Sequence, residues 1–524
     1  MSARRILLLL PAFALHFTLQ AADFDLVVRG GRVVDGSGKP AIEADVAVHN
    51  GRIVEVGRVT AKGKVEVDAG GLIVAPGFID VHTHAEEVDE QPRAENFVRM
   101  GVTTLVLGNC GSSRLDLGKY FAELARTNVS VNVASLIGHG TVRGEVMAGS
   151  FRRPPTAAEL ARMKTLIERA MREGALGIST GLIYLPGTFA TAEELIEVTK
   201  VVGVHGGIYA SHLRSEGEKV FAAVDEAARI GREARLPVQL SHIKVAGRAN
   251  WGKAAELLAH IQRLRDGGAV ITHDQYLYTA SSTSLSQLIP DAAREGGVPA
   301  FQKRLAAGEQ KSAILAQMKE RLTRNGYTNC AHVVITTCKS DKTLEGLSVV
   351  EAARLRRKSE TLDAQLELVL EIETNGGAGA IFHGMSEEDL RVFLADPRTM
   401  FASDSGVRQF GEGVPHPRGY GNNARVLARY VRELKLLTLE ESVRRMTALP
   451  AATFQLKGRG QIKEGFAADL VVFDSEKVRD NSTFEKPHAY ATGFRHVFVN
   501  GVAVVRDDKH TAARSGQVLR RAPR

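Results

Sequence analysis

The segment DVHTH carries His82 and His84, two residues apart. On an extended strand that spacing points both imidazoles to one side, where two neutral rings can share one divalent metal. Most such pairs are hydrogen-bonded or surface histidines, so this one gains meaning only if other donors converge on it. Four more residue types suited to metal binding stand in comparable settings: Cys110 in GNCGSS, His212 in SHLRSEG, His242 in SHIKVAG and Asp404 in SDSG. Each follows a short, β-rich apolar run, so all fall at the polar end of a strand. A thiolate with imidazoles favours zinc over magnesium or calcium. Cys110 then reads as a metal-bound thiolate. A nucleophile and an inert core thiol are the other readings of that residue.

The elements that must position these donors have a common design. Eight runs share it: GFIDVHTHA, GVTTLVLGNCG, SVNVASLIGHG, GALGISTGL, GGIYASHLR, PVQLSHIKVAG, AVITHDQYLY and RTMFASDSG. Amphipathic segments lie between many of them. AAELARMKTLIERAMREG and TAEELIEVTKVVGVHG have acidic first turns, and EKVFAAVDEAARIGREA and KAAELLAHIQRLRDGG repeat the apolar period. Such alternation predicts an α/β fold, a (β/α)8 TIM-like barrel over residues 76–455 with its active site at the C-terminal strand ends. One connection breaks the pattern. Roughly a hundred residues separate DQYLYTASST from RTMFASDSG, and a connection so long is functional or an added subdomain. We read it as an insertion at about 285–380 that can cover the barrel mouth. Both chain ends alternate apolar and polar residues and turn at Gly and Asp-Gly. They predict one small β-sandwich domain, made from residues 23–75 and 456–524.

The chain has 524 residues, 44% of them hydrophobic and 24% charged, which is ordinary for a globular protein. Its formal charge of +8 is spread out rather than gathered into a stripe. That argues against nucleic-acid binding and suits an anionic small molecule. MSARR, ILLLLPAFALHFTL and LQAAD read as a signal peptide over residues 1–22, cleaved after Ala21 or Ala22. The apolar run is short for a membrane span and contains a proline. The expectation is an exported protein, periplasmic or secreted, without membrane contact once the leader is removed. Cys330 and Cys338 lie in NCAHVVITTCK; in one extended strand they stand roughly 26 Å apart, against the ~7 Å limit for a disulfide. They are not expected to pair.

Taken together, these motifs resemble the N-acyl-D-amino-acid deacylases, or D-aminoacylases, of the amidohydrolase superfamily. The resemblance runs through nearly all of the chain after the leader. It rests on PGFIDVHTH, GNCGSS, GHGTVRG, GISTGLIYLPGT, SHLRSEG, SHIKVAG, YTASST, FHGMSEEDL, SDSG, HPRGYG and FEKPHAYATGFRHVFVNG. Many superfamily members bridge two metals with a carboxylated lysine on the fourth strand. Here that strand, GALGISTGL, has no lysine, and the resemblance implies that Cys110 takes over metal binding. It implies a tight zinc on Cys110, His212 and His242, and a second, weaker position lined by His82, His84 and Asp404. It implies hydrolysis of the amide of an N-acyl-D-amino acid by zinc-activated water, with Asp404 as general base and then acid. Arg418, Lys244, Tyr184 and Tyr278 are the implied clamp on the substrate carboxylate, with Tyr276 the alternative to Tyr278.

Two features depart from the family pattern. The loop VRQFGEGVPHPRGYGNNARV after SDSG is longer than usual and carries Arg408 and Glu412, and many relatives lack a leader. His139 is expected at or just behind the pocket and His205 in a structural place, while His383 and His416 could face the mouth. A dipeptidase releasing a C-terminal D-residue would use the same chemistry. A zinc-binding scaffold is the reading outside enzymes, and Asp404 beside a full donor set argues against it. The leader has its own test: N-terminal sequencing of the protein from its native host should start at Ala22 or Asp23. An intact Met1 on a soluble cytoplasmic form would refute export.

Overall fold

The structure, a computed structural model, describes residues 23–149 and 151–522. The leader expected over residues 1–22 lies outside the described residues. Eight parallel strand positions form the barrel: Phe78–Asp80, Val102–Leu107, Asn132–Ser135 continued by Ile137–Gly138, Gly177–Gly181, Ile208–His212, Val238–Leu240, Ile271–Gln275 and Thr399–Phe401. The ring closes between the first and last. The Asp404 amide donates to the His82 carbonyl and the His84 amide to the Ser405 carbonyl, both at 2.9 Å. This is the (β/α)8 barrel that the alternating pattern predicts, and its strands are the eight runs read from the sequence.

The amphipathic segments form helices Ala157–Glu173, Ala192–His205, Val220–Ala234 and Ala254–Asp266. Thr156 and Glu159 make a reciprocal capping box at the start of the first of these, and the Thr191 hydroxyl accepts from the Glu194 amide at the second. Both helices stop at glycines with positive φ, Gly174 and Gly206, where a side chain would be strained. Their buried stripes, Met163, Ile167 and Ala170 on one and Leu195, Val198 and Val202 on the other, join the main core.

The two chain ends meet in a nine-stranded sheet. Leu470–Phe473 from the C-terminal part pairs antiparallel with Ile73–Pro76 from the N-terminal part. Period-two alternation divides its residues between two cores. Leu470 and Val472 pack with Val28 and Val46 inside the small domain, whereas Val471 and Phe473 join the barrel's core. The last residues leave the small domain. The Val133 amide donates to the Gln517 carbonyl and the Leu519 amide to the Val133 carbonyl. Leu519 thereby packs against the cluster of Ile79, Val106, Met400 and Phe454 inside the barrel.

The long connection is a subdomain with its own core. Ser281–Ser284, Ala378–Phe382 and Val333–Cys338 form a three-stranded antiparallel sheet, with the central place taken by Ala378–Phe382. Helices Gly297–Ala306, Gly308–Arg324, Val349–Arg357 and Leu362–Thr374 accompany it, and Phe301, Met318, Ile335 and Leu366 are among its buried residues. Residues from both its ends and its middle line the cavity at the barrel mouth. Cys330 and Cys338 are buried within it, and all three cysteines are free. No helix among the described residues is long and apolar enough to cross a membrane.

Candidate active site

Three of the six donor residues end their strands in an unusual backbone state. Cys110, His242 and Asp404 have φ of 52°, 33° and 51°. Positive φ on an L-residue costs roughly 1–3 kcal/mol and recurs at functional sites. The glycines around Cys110 answer to close approaches. A Cβ on Gly108 would lie 2.1 Å from the Leu136 carbonyl oxygen, and one on Gly111 would lie 2.7 Å from the Gly181 amide. The fourth strand, which has no lysine, braces this loop instead: the Ser179 hydroxyl donates to the Gly108 carbonyl and accepts from the Gly111 amide.

The loop delivers the thiol to the centre of the histidines. Cys110 Sγ lies 3.2 Å from His82 Nε2, 3.6 Å from His212 Nδ1 and 3.7 Å from His242 Nε2. Sulfur and nitrogen donors at tetrahedral zinc, with bonds of about 2.3 and 2.0–2.1 Å, stand roughly 3.3–3.6 Å apart. The donor set and its spacing therefore fit zinc. A second group adjoins the first: Asp404 Oδ1 lies 3.1 Å from His84 Nε2 and 3.5 Å from His82 Nε2. All six residues singled out in the sequence come together. The division between them is less sharp than the resemblance implies, because His82 belongs to both groups and is the nearest nitrogen to the sulfur.

The surroundings orient and charge these donors. Asp274 Oδ1 lies 3.1 Å from His82 Nδ1 and accepts the His242 amide, while its Oδ2 accepts from Gln239. A carboxylate on Nδ1 turns Nε2 toward the sulfur and makes it a better donor. Glu216 Oε1 lies 3.0 Å from His242 Nδ1 and 2.5 Å from Lys244 Nζ. Burial raises the Cys110 thiol pKa, but His82, His212 and His242 outweigh burial and hold it well below its usual range. Burial likewise opposes ionisation of Asp404, and Arg418 followed by His82 and His84 holds its carboxyl well below the usual range. Arg418 Nη1 is 2.8 Å from Asp404 Oδ2. Asp274, Glu216 and Arg418's contact with Asp404 were not picked out from the sequence. The first had a signal: a carboxylate inside a buried strand needs a partner.

The expected substrate contacts divide. Tyr184 and Lys244 line the cavity with Cys110, His212 and Asp404. Arg418 is not among the residues lining the cavity: it is 3% exposed, stacks over the Tyr276 ring at 4.5 Å behind Asp404 and keeps a buried Nε without a hydrogen-bond partner. Tyr278 does not reach the cavity. Its hydroxyl donates to Asp480 at 2.8 Å and Arg425, paired with Asp480, covers its ring, so this half-buried ion pair holds it away, and Tyr276 lines the cavity instead. His139 is fully buried against Glu194 Oε1, which Arg143 also binds, and Arg143 donates to the Pro186 carbonyl behind the Tyr184 loop. His416 points its Nε2–H at the Ala280 carbonyl, and His383 lies edge-on to Phe484; neither lines the cavity. His205 sits half-buried in the last turn of its helix. The Arg408 amide donates to Asn96 Oδ1 and its Nε to the Ser405 hydroxyl, and Arg408 does not line the cavity.

Residues 65–505 match the amidohydrolase family model, and the chain belongs to that family. Within it, the D-aminoacylase of Alcaligenes xylosoxydans xylosoxydans is 39% identical over 95% of this chain and 98% of that protein. The N-acyl-D-glutamate deacylase of the same organism is 36% identical over 95% and 96%. The crystal structure of N-acyl-D-glutamate deacylase from Bordetella bronchiseptica, complexed with zinc and a phosphonate mimic of the tetrahedral intermediate, superposes with a TM-score of 0.81. It is 34% identical and covers 95% of this chain and 99% of that one.

The orienting carboxylate is open to measurement. Asp274→Asn should weaken zinc affinity about 10- to 100-fold, as loss of a carboxylate behind a ligating histidine typically does, with the circular dichroism spectrum unchanged. Zinc retention against a chelator series reads the effect. Unchanged retention would show that Asp274 does not set the donor geometry.

Proposed function

We propose that this protein hydrolyses the amide bond of N-acyl-D-amino acids, releasing a carboxylate and a free D-amino acid, with zinc as its cofactor. The observation that carries the reading is the donor cluster around Cys110 with an ionised Asp404 at its edge, opening into a cavity of about 1020 Å³. Cys110, His212 and His242 are assigned to the tight zinc position, and His82, His84 and Asp404 to a second, weaker one. Bound there, zinc polarises the amide carbonyl and lowers the pKa of water to about 7.

The protein's own residues handle the proton. Asp404 is held ionised by Arg418, so it accepts the proton of the attacking water and passes it to the leaving nitrogen. An amine leaves poorly unless protonated, which is why one group must serve as base and then as acid. Asp404 is 7% exposed, so bulk water does not compete freely for that proton. The substrate's α-carboxylate is assigned to Lys244, Arg418 and the hydroxyls of Tyr184 and Tyr276. Lys244 and Arg418 already neutralise Glu216 and Asp404, so they act as shared rather than free cations. Arg418 keeps spare donors for this because a guanidinium has five N–H groups. Export from the cytoplasm is part of the same proposal, supported by the basic and apolar leader alone.

Two measurements test the reading. Comparing kcat/KM for the enantiomers of N-acetylmethionine should show a strong preference for D; parity, or a preference for L, would reject the proposed substrate class while sparing the family. Asp404→Asn should lower kcat roughly 10²–10⁴-fold, the usual contribution of acid–base catalysis, with zinc still on the Cys110 group. Near wild-type turnover with zinc in place would mean that another residue is the base.

A further inference from the structure

The cavity wall supplied by the insertion carries a surplus of positive charge. Arg321, Arg324 and Asp291 line it, and Arg294 stands close by. Asp291 is already engaged: Arg294 Nη2 lies 2.6 Å from its Oδ1, and the Thr188 hydroxyl donates to its Oδ2 at 3.0 Å. The carboxylate that the insertion contributes to this wall is thus already bound by Arg294, and Arg324, exposed, pairs with Glu320 at 3.9 Å.

Arg321 is the group left over. It sits in the last turn of helix Gly308–Arg324 and is half-buried beside Leu288 and Leu322. Its Nη1 donates to the Gln287 carbonyl, and among the described residues it has no carboxylate within 4.0 Å. Burial pulls its pKa down, Asp291 offsets this in part, and Arg324 and Arg294 pull the same way as burial. The other cations on the cavity wall differ. Arg214 is held by Glu226 at 2.9 Å and Lys244 by Glu216, while Lys219 and Arg324 are exposed at the rim. A guanidinium partly removed from water and left without an anion is costly unless a ligand completes it. Its planar fork matches a carboxylate, and the apolar neighbours strengthen the attraction by lowering the local dielectric.

We propose that Arg321 receives a second carboxylate on the substrate, distinct from the α-carboxylate, so that the protein prefers N-acyl-D-amino acids with an anionic far end. The inference rests on the amide-hydrolase reading above. The second carboxylate belongs either to an acidic D-side chain or to a dicarboxylic acyl group, since both project from the scissile amide into the same cavity. Arg321 acts on specificity and takes no part in the proton transfers.

The zinc-loaded protein is assayed on two matched pairs. N-acetyl-D-glutamate against N-acetyl-D-glutamine reads the side-chain source; N-succinyl-D-methionine against N-succinamoyl-D-methionine reads the acyl source. In one pair the acid should exceed its neutral amide about tenfold or more in kcat/KM, with the advantage falling as salt is added. Arg321→Gln should cut that ratio about 10- to 100-fold, chiefly through KM, and Arg321→Lys should restore part of it. Ratios near or below one in both pairs for the wild type overturn the inference, as does a ratio that Arg321→Gln leaves unchanged. Should the Gln variant fail to fold, the wild-type ratios and their salt dependence still decide. No turnover of any N-acyl-D-amino acid would instead sink the reading on which the inference rests.

Discussion

The hydrogen bond from the Asp404 amide to the His82 carbonyl joins residues at opposite ends of the barrel's sequence, and the candidate site depends on it. With the reciprocal bond from His84 to Ser405, it closes the ring of strands. Closure sets the separation of His82, His84 and Asp404, and so of the second donor group. The buried Asp80 supports the same seam: its carboxylate accepts the amides of Ser403 and His82. Burial pushes Asp80 up to about 7 despite those bonds. Closing a sheet also removes its edges, which leaves the C-terminal rim as the place where backbone can depart from strand geometry. Cys110, His242 and Asp404 do so there.

A cluster of anions in a water-poor place needs matching cations. Asp404 has Arg418, Glu216 has Lys244, and Asp274 has the His82 imidazole. What remains is the thiol and the shared face of the histidines. There burial opposes protonation of His84, yet Asp404 and Cys110 push its pKa up to about 10. The centre attracts positive charge against its own desolvation, which is the electrostatic demand that a divalent cation meets. The same accounting leaves Arg321, on the wall supplied by the insertion, with no carboxylate within 4.0 Å among the described residues.

Neither the small domain nor the insertion is a passive appendage. Asp480, in the C-terminal part, holds Tyr278 and Arg425 of the barrel. Phe484 packs edge-on against the ring of His416 at 5.1 Å, and His416 Nδ1 accepts the Arg418 amide. His488 reaches the Gly413 carbonyl. The long loop after the last strand is thus braced from the small domain, and Arg418 is presented to Asp404 at its end. The insertion approaches from the other side, where Thr283 donates to the Tyr184 hydroxyl. Barrel, small domain and insertion therefore all bear on the cavity.

The fold and the identity of the donors were legible in the residues because both are local properties. Period-two and helical periods reflect which side of one element is buried, and metal-binding side chains stand at the ends of five of the eight segments that follow the design. The glycines around Cys110 could be read as a tight turn, although the Leu136 carbonyl that requires one of them lies on the next strand. Other features were decided only when elements far apart in sequence met. His82 comes nearer to the sulfur than His212 or His242, Arg418 lies on Asp404, and Tyr276 rather than Tyr278 faces the cavity. Asp274 and Glu216 became orienting carboxylates in the same way, and the C-terminal residues came to lie on the barrel. Local pattern states which side chains are available to bond. Which partner each one takes follows from barrel closure and from the requirement that every buried charge be paired, and both are properties of the assembled tertiary structure.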